Sequence, residues 1–334
     1  MAAILVDSLC KSFRVRRPGG RGAIAALFRP ALTTDIPAVR DISFTIEEGE
    51  RVAFIGPNGA GKSTTLKMLT GILRPTSGHA EVAGLVPWQY RRQLAHHIGI
   101  VFGQRSQLWH HLPVRSSLEL LRRIYGVDAA THAARLNQVS AIFDIADLLD
   151  RPVSELSLGQ RIRCEIAAVL LHAPKVLLLD EPSIGLDVTA KAALRDHLNA
   201  LSRSANTTVL LTSHDTGDIE KICDRVIVID EGRLLLDQPL ERLRQAFLQR
   251  RSMVLITAEE RPILELPGVT VTSAEPYRLT LSVDTRVSAV EQVVATALHL
   301  LSVRDLVIEN PPLEEIVKAI YRGVDRAAQR HAPV

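Results

Sequence analysis

Apolar runs and alternating segments divide the chain into strands and helices before any motif is considered. Val39–Ile46 alternates apolar and polar residues, which predicts a strand with one buried face. Arg51–Ile55, Ile98–Phe102 and Val176–Asp180 are nearly continuous apolar runs, typical of strands buried on both faces of a parallel sheet. Similar patterns predict further short strands at Ile4–Val6, Phe13–Val15, Ala80–Ala83, Thr207–Thr212, Arg225–Ile229 and Arg233–Leu236.

Helical periodicity dominates the middle of the chain, from residue 114 to about residue 173. Leu118, Leu121 and Ile124 recur at helical spacing. We therefore expect a wholly helical subdomain inserted into an α/β domain, in which Leu156–Gln160 caps a helix that ends at His172. The remaining predicted helices are Thr65–Thr70, Thr189–Ser202 and Leu240–Arg250.

The pattern changes at about Ser252, where a second domain is expected to begin. Its predicted elements are strands at Val254–Ile256, Val269–Thr272, Leu279–Val283 and Leu306–Ile308, an amphipathic helix at Ala289–Leu301 and a final helix opened by Pro311. The sequence thus predicts one domain over residues 1–250 and a small α+β domain over residues 251–334. The second domain contains no recognisable catalytic residues.

The stretch Arg16–Pro37 interrupts the regular pattern near the N-terminus. It is rich in Arg, Gly and Pro around a short apolar patch, which predicts a long loop or a small flap. Its arginines suit acidic lipid headgroups or nucleic acid, but a solvated loop is the favoured interpretation.

Composition narrows the class of protein without identifying it. Of 334 residues, 46% are hydrophobic and 23% charged, as in ordinary globular proteins, and a net charge of +3 is too weak to imply nucleic acid. Cys10, Cys164 and Cys223 are isolated, so neither a disulfide framework nor a zinc site is indicated. The N-terminus lacks a signal pattern, and no apolar run approaches the ~18 residues of a membrane helix, so we expect a cytoplasmic protein.

The segment Gly56–Thr64 reads Gly-Pro-Asn-Gly-Ala-Gly-Lys-Ser-Thr and lies between a predicted strand and a predicted helix. In that context the pattern predicts a phosphate-binding loop. Glycines let successive N–H groups turn around an anion, and the N-terminus of the following helix favours phosphate. Lys62 is expected to reach the β- and γ-phosphates, and the Ser63 hydroxyl to bind Mg²⁺.

Acidic residues and a histidine follow two of the predicted parallel strands, at the edge where such sheets bind ligands. Asp180 is expected to hold Mg²⁺ beside the phosphates, and Glu181 to polarise an attacking water. His214 follows the strand Thr207–Thr212 and is expected at the same edge. Alone, such residues are more often structural; downstream of a phosphate loop they indicate a hydrolytic site.

These motifs resemble those of the ATP-binding subunits of ABC transporters over roughly residues 1–240. Gly56–Thr64 matches the Walker A motif, Val176–Asp180 with Glu181 matches Walker B and its catalytic glutamate, and His214 matches the switch histidine. The resemblance implies a P-loop NTPase domain of the ABC type, with an antiparallel β subdomain and a helical subdomain. It also implies ATP hydrolysis with Mg²⁺.

Further matches extend the resemblance over the whole cassette. Gln104 matches the Q-loop glutamine, Asp187 lies in the D-loop segment Gly185-Leu-Asp, and Phe13 stands where the family places an aromatic residue that stacks on adenine. The resemblance implies catalytic roles for Glu181, His214, Gln104 and Lys62, and metal binding by Ser63, Gln104 and Asp180. The residues that it implies for ATP binding are Phe13, Gly56, Pro57, Asn58, Gly59, Ala60, Gly61, Lys62, Ser63, Thr64, Gln104 and Asp180.

The segment Leu156-Ser-Leu-Gly-Gln160 resembles the family signature LSGGQ, with one departure. Leu158 replaces the first glycine, so the backbone there approaches nucleotide less freely, although function is expected to survive. The resemblance implies a head-to-tail dimer in which the signature residues Ser157, Leu158, Gly159 and Gln160 close the ATP site of the other subunit. Homodimers and heterodimers both fit, and a membrane permease is the implied partner, so the protein would lie on the inner face of the cell membrane.

Within the family, Phe102–Pro113 and the run at Pro311–Glu315 resemble the ATPases of ABC-2 type exporters. An importer ATPase with a regulatory C-terminal domain is an alternative, although the predicted second domain is short for the sugar-importer type. A soluble ABC ATPase acting on ribosomes or DNA is a third. The transported substrate is not encoded in this chain, because its contacts lie in the permease.

Overall fold

The computed structural model describes residues 2–16, 33–102, 106–204, 207–247 and 250–309. Gln104, the predicted final helix after Pro311 and most of the predicted loop Arg16–Pro37 lie outside these residues. The chain divides into two compact units, one ending at Gln238 and the other beginning at Pro239. The helix assigned from sequence to the first domain, at Leu240, therefore belongs to the second unit.

Strands and helices alternate along the first part of the chain. The strands are β1 Ala2–Arg16, β2 Thr33–Glu47, β3 Arg51–Ile55, β4 Ser77–Val82, β5 Ile98–Phe102, β6 Val176–Asp180, β7 Thr208–Thr212, β8 Arg225–Asp230 and β9 Arg233–Pro239. The helices are α1 Lys62–Leu69, α2 Arg91–Ala95, α3 Val114–Ile124, α4 Ala129–Phe143, α5 Leu158–Leu170, α6 Val188–Ser204 and α7 Thr216–Ile222.

A six-stranded sheet in the order β5-β6-β7-β3-β8-β9 forms the centre of the first unit. From β5 to β8 its strands pair in parallel, and their side chains are almost entirely buried, as the continuous apolar runs predict. In this register Asp180 lies beside Phe102 on one side and beside Thr212 on the other. The carboxyl ends of β5, β6 and β7 therefore meet at one edge of the sheet.

A three-stranded antiparallel sheet, β2-β1-β4, forms a second layer. It shares one apolar core with the parallel sheet, in which the rings of Phe44 and Phe54 lie 5.7 Å apart. The two strand pieces predicted at Ile4–Val6 and Phe13–Val15 are wrong as separate elements. β1 runs through both, because register shifts between Val6 and Lys11 absorb the irregular residues.

The prediction of a loop over Arg16–Pro37 is also wrong at both ends of that range. Arg16 ends β1 and pairs with Thr33, and Asp35 of β2 pairs with Arg14. The Arg14 Nε atom lies 3.3 Å from Asp35 Oδ1. Phe13, Val15 and Ile36 near these strand ends are exposed, so no buried face marked the pairing in the sequence.

The predicted helical subdomain consists of α3, α4 and α5, with short 3₁₀ turns between α4 and α5. Helix α5 packs against both α3 and α4. The Asp128 carboxylate caps α4 by accepting a hydrogen bond from the Thr131 amide (2.8 Å). Helix α5 ends at Leu170, slightly before the predicted end at His172.

The second unit has the predicted α+β character. Its elements are α8 Leu240–Phe247, β10 Arg250–Thr257, β11 Val269–Glu275, β12 Arg278–Asp284, α9 Val290–Leu300 and β13 Val303–Glu309. The strands form an antiparallel sheet in the order β11-β12-β10-β13. Met253, Leu281 and Val293 are among the residues of a separate apolar core. Of the helices described in either unit, none combines the length and apolar character needed to cross a membrane.

Candidate functional site

A cleft of about 410 Å³ opens at the carboxyl edge of the parallel sheet. It brings together residues that the sequence predicted separately, from the phosphate loop and from the loops after β6 and β7. The lining residues are Ala38, Pro57, Asn58, Gly59, Gly61, Lys62, Ser63, Thr64, Glu181, Ile184 and His214. Ala38 and Ile184 were not predicted, since neither carries a chemical signal in the sequence.

The phosphate loop joins β3 to α1 in a conformation that requires glycine. Gly61 has φ +106°, and a Cβ there would lie only 2.6 Å from the carbonyl oxygen of Ala38. Gly61 is also the N-cap of α1, and it provides no side-chain cap for the amides of the first turn. The N–H groups at this helix start are therefore available to an anion.

The Lys62 side chain lies at the base of the cleft and is 7% exposed. Its ammonium group donates to the carbonyl oxygens of Gly56 and Pro57 and lies 3.4 Å from His214 Nε2. Burial lowers the pKa of Lys62, although the carboxylates of Glu181 and Asp180 act to raise it. A bound phosphate would favour the charged ammonium, so the site suits an anion.

Glu181 and His214 face each other across the cleft. Glu181 Oε1 lies 3.1 Å from His214 Nε2, and the His214 amide donates to Glu181 Oε2 (3.3 Å). Oε1 is buried and accepts no well-aligned hydrogen bond from the described residues. Burial raises the pKa of Glu181, against the influence of His214 and Lys62. A carboxyl group that lines the cleft and has a raised pKa is suited to take a proton from a water bound there.

Thr212, at the end of β7, orients both acidic residues and was not identified from the sequence. Its hydroxyl donates to Asp180 Oδ1 (2.7 Å) and accepts from the Glu181 amide (3.1 Å). Glu181 has φ +54°, in the left-handed region that is unfavourable for a residue with a side chain. The only available signal was the position of Thr212 at the end of an apolar strand.

The donor set at this edge suits magnesium. The Ser63 hydroxyl lines the cleft, and Thr212 hydrogen-bonds only one of the two carboxylate oxygens of Asp180. Carboxylate and hydroxyl oxygens are the hard ligands that this ion prefers. The third predicted ligand, Gln104, lies outside the described residues.

The signature residues do not line this cleft in the same chain. Ser157 is the N-cap of α5 and forms a capping box with Gln160: the Gln160 amide donates to Ser157 Oγ (3.3 Å), and the Ser157 amide donates to Gln160 Oε1 (3.0 Å). Leu158 contacts the D-loop, since a Cβ on Gly185 would lie 3.1 Å from its Cδ2 atom. Asp187 accepts a hydrogen bond from the Ala190 amide (2.7 Å) at the start of α6.

Phe13 also lies apart from the cleft-lining residues. It is 41% exposed on β1, with the Lys11 ammonium 5.4 Å from its ring centroid. An exposed ring is open to stacking, and its predicted role in adenine binding stays a prediction.

Comparison with known proteins gives consistent results. A family profile described as ABC transporter matches residues 39–184. NatA of Bacillus subtilis (strain 168), an ABC transporter ATP-binding protein, is 35% identical over 211 residues, which cover 63% of this chain and 85% of NatA. The daunorubicin resistance ATP-binding protein DrrA3 of Streptomyces coeruleorubidus is 32% identical over 306 residues, covering 89% of this chain and 95% of DrrA3.

A solved structure agrees with these sequence matches. It is cbiO1 of Clostridium perfringens, described as part of the ABC transporter complex cbiONQ. It superposes with a TM-score of 0.59 at 27% identity, covering 74% of this chain and 95% of that chain.

The fold and the cleft define a P-loop ATP-binding cassette, and the predicted fold class is confirmed. The chain belongs to the ATP-binding proteins of ABC transporters, as the sequence motifs predicted. It is an ATPase subunit, and subunits of this family work as dimers with membrane permeases.

Proposed function

We propose that this chain hydrolyses ATP at the described cleft to drive a separate membrane permease of the exporter type. The observation that carries the hydrolytic assignment is the position of the Glu181 carboxyl group, which lines the phosphate-loop cleft. Its Oε1 atom lies 3.1 Å from His214 Nε2, and burial raises the pKa of the carboxyl group. In this position it accepts the proton of the attacking water.

Lys62 and the helix N-terminus bind the phosphates, and His214 contacts both Lys62 and Glu181. Ser63 and Asp180 would hold the magnesium ion, which neutralises phosphate charge when bound. The head-to-tail partner is a second copy of this chain, whose Ser157 and Gly159 complete the site. The chain would then lie at the inner face of the cell membrane through its permease.

The match to DrrA3 supports export. It covers 89% of the 334 residues, so it extends beyond Gln238 into the second unit. The name of that relative describes drug resistance, which is consistent with outward transport. The alternatives of an importer and of a soluble ATPase predict different partners.

The decisive test of the site is Glu181→Gln. This change keeps the size of the side chain but removes the proton acceptor, so turnover should fall by about 10²–10⁴. ATP binding should persist, because Lys62, Ser63 and Asp180 are unchanged. The variant should accumulate as an ATP-bound dimer in size-exclusion chromatography with ATP, and not with ADP.

Asp230→Asn is a matched control, since Asp230 is an acid at the end of strand β8 of the same sheet and does not line the cleft. Turnover near the wild-type rate in folded Glu181→Gln would rule out Glu181 as the base. Export is tested by co-expression with a permease encoded by a neighbouring gene. Inside-out vesicles should then accumulate substrate with ATP; depletion would indicate an importer, and co-sedimentation with ribosomes a soluble ATPase.

A further inference from the structure

One buried carboxylate connects the two loops that carry Glu181 and His214. It belongs to Asp218, in the first turn of α7, and Asp218 is 2% exposed. Its Oδ2 atom accepts a hydrogen bond from Ser213 Oγ (3.0 Å) and another from Ser183 Oγ. Both serines are themselves buried.

The positions of the two serines make this contact relevant to hydrolysis. Ser213 directly precedes His214, and Ser183 follows Glu181 by two residues. Each hydroxyl therefore attaches the backbone beside one of the facing side chains to the same oxygen atom. Because the same carboxylate oxygen of Asp218 holds both loops, the separation between Glu181 and His214 depends on the position of that oxygen.

The carboxylate of Asp218 is in turn held by helix α6. Arg195 Nε donates to Asp218 Oδ1 (2.6 Å), and another nitrogen of the same guanidinium donates to Asp215 Oδ1 (2.9 Å). Lys191 Nζ donates to the other oxygen of Asp215 (2.7 Å). Gly217 leaves room for the guanidinium, since a Cβ there would lie 2.9 Å from it. The buried negative charge is therefore paired and fixed in orientation.

If the salt bridge between Asp218 and Arg195 were purely structural, it would not need to be connected to the loops that line the cleft. Here the linked backbone includes a strained residue, since Glu181 has φ +54°. A residue with a side chain keeps such a backbone conformation only where the surrounding contacts hold it. Thr212 holds Glu181 from β7, and Ser183 fixes the chain on its other side.

We propose that Asp218, fixed by Arg195, is a positioning residue that sets the distance between Glu181 and His214 through Ser183 and Ser213. The inference rests on the hydrolytic roles proposed above for Glu181 and His214. Asp218 itself does not line the cleft.

The test removes the hydroxyls and keeps the carboxylate. Ser183→Ala, Ser213→Ala and the double variant are compared for kcat, for KM and for ATP affinity in a fluorescent-nucleotide titration. We expect each single change to lower kcat by about 10- to 100-fold, since small displacements of reacting groups have effects of this size. KM and ATP affinity should stay at wild-type values, because neither serine lies in the phosphate loop.

The double variant should lose no more than the larger single loss, because either change releases the pair. Ser183→Thr and Ser213→Thr retain a hydroxyl and should keep most of the activity. Ser140→Ala, at a buried serine of α4 that does not line the cleft, is the control and should leave kcat unchanged. Thermal unfolding verifies that every variant is folded.

Wild-type kcat in both folded Ser→Ala variants would overturn the proposal. Losses that multiply in the double variant, or that threonine does not restore, would also overturn it, because they would indicate independent packing effects. Glu181→Gln is measured alongside. If Glu181→Gln still hydrolyses ATP, the proposed function fails; if it is inactive while the serine variants are active, only the role of Asp218 fails.

Discussion

Two helix N-termini of this chain carry motifs that are proposed to bind the same anion, and they are built in opposite ways. Helix α1 has Gly61 as its N-cap, so no N-cap side chain accepts from the amides of its first turn. Helix α5 begins at Ser157, and a complete capping box with Gln160 occupies its first turn. The start of α1 lies in the cleft beside Lys62, whereas the α5 residues do not line that cleft.

The difference shows how a helix start is adapted to its ligand. An uncapped N-terminus leaves donors unsatisfied in the free protein, so it depends on phosphate to complete its hydrogen bonds. The capping box satisfies the amides of Ser157 and Gln160 and stabilises its own helix. The phosphate loop is therefore a binding element within one subunit, and the signature helix is stable before any partner subunit arrives.

The largest expected effect is that of Lys62→Ala. We expect hydrolysis to be abolished and ATP binding to weaken by about 10- to 100-fold, because the phosphates lose a charge-assisted hydrogen bond. Without nucleotide the free energy of unfolding should be unchanged or higher, since burial disfavours the Lys62 ammonium. Titration calorimetry and urea unfolding measure the two quantities.

Lys67→Ala is the matched control for this experiment, because Lys67 is exposed on the same helix. It should change neither ATP binding nor turnover. If Lys62→Ala bound ATP with wild-type affinity, the assignment of the phosphate loop would be wrong.

An intermediate effect is expected from Ser157→Ala, which should reduce stability and leave ATP binding by the isolated subunit intact. Loss of the capping hydroxyl should lower the free energy of unfolding by about 1 kcal/mol without nucleotide. ATP binding by the isolated subunit should be unaffected, while the ATP-dependent dimer should weaken. Ser154→Ala changes an exposed serine just before the signature segment and is the control. The difference between the two variants measures the contribution of the cap to stability. Unaltered stability would mean that the capping box does not form in solution.

The smallest effect is expected from Leu158→Gly, which restores the usual family residue. The change removes the contact with Gly185 and adds backbone freedom, so stability should fall by less than about 1 kcal/mol. Turnover should change by less than about tenfold, because Ser157 and Gly159 are retained and a larger change would need more than about 1.4 kcal/mol in the activation barrier. Leu158→Ala separates the side-chain contact from the glycine effect. A much larger loss would mean that the leucine itself is part of the site.

Much of the fold follows from local patterns. Arg51–Ile55 and Val176–Asp180 are strands at the predicted bounds, because fully buried parallel strands require continuous apolar runs. The exposed ends of β1 and β2 carry no such pattern, so the strand pairing of Arg14 with Asp35 was missed. Helices α2 and α7 were missed for a related reason, since both are too short to show a period.

The sequence by itself determined which chemical groups arrive at one edge of the sheet. A glycine loop between a strand and a helix, and acids and a histidine after apolar strands, predict that meeting because parallel strands end together. The tertiary structure alone decided how each group is partnered. Thr212 contacts Asp180 and Glu181, Glu181 contacts His214, and Ser183 contacts Asp218. The partners in these contacts lie 31 to 35 positions apart in the sequence. Hydrogen-bond partners and pKa values depend on distances and burial, which are set by packing and are not encoded in any local pattern.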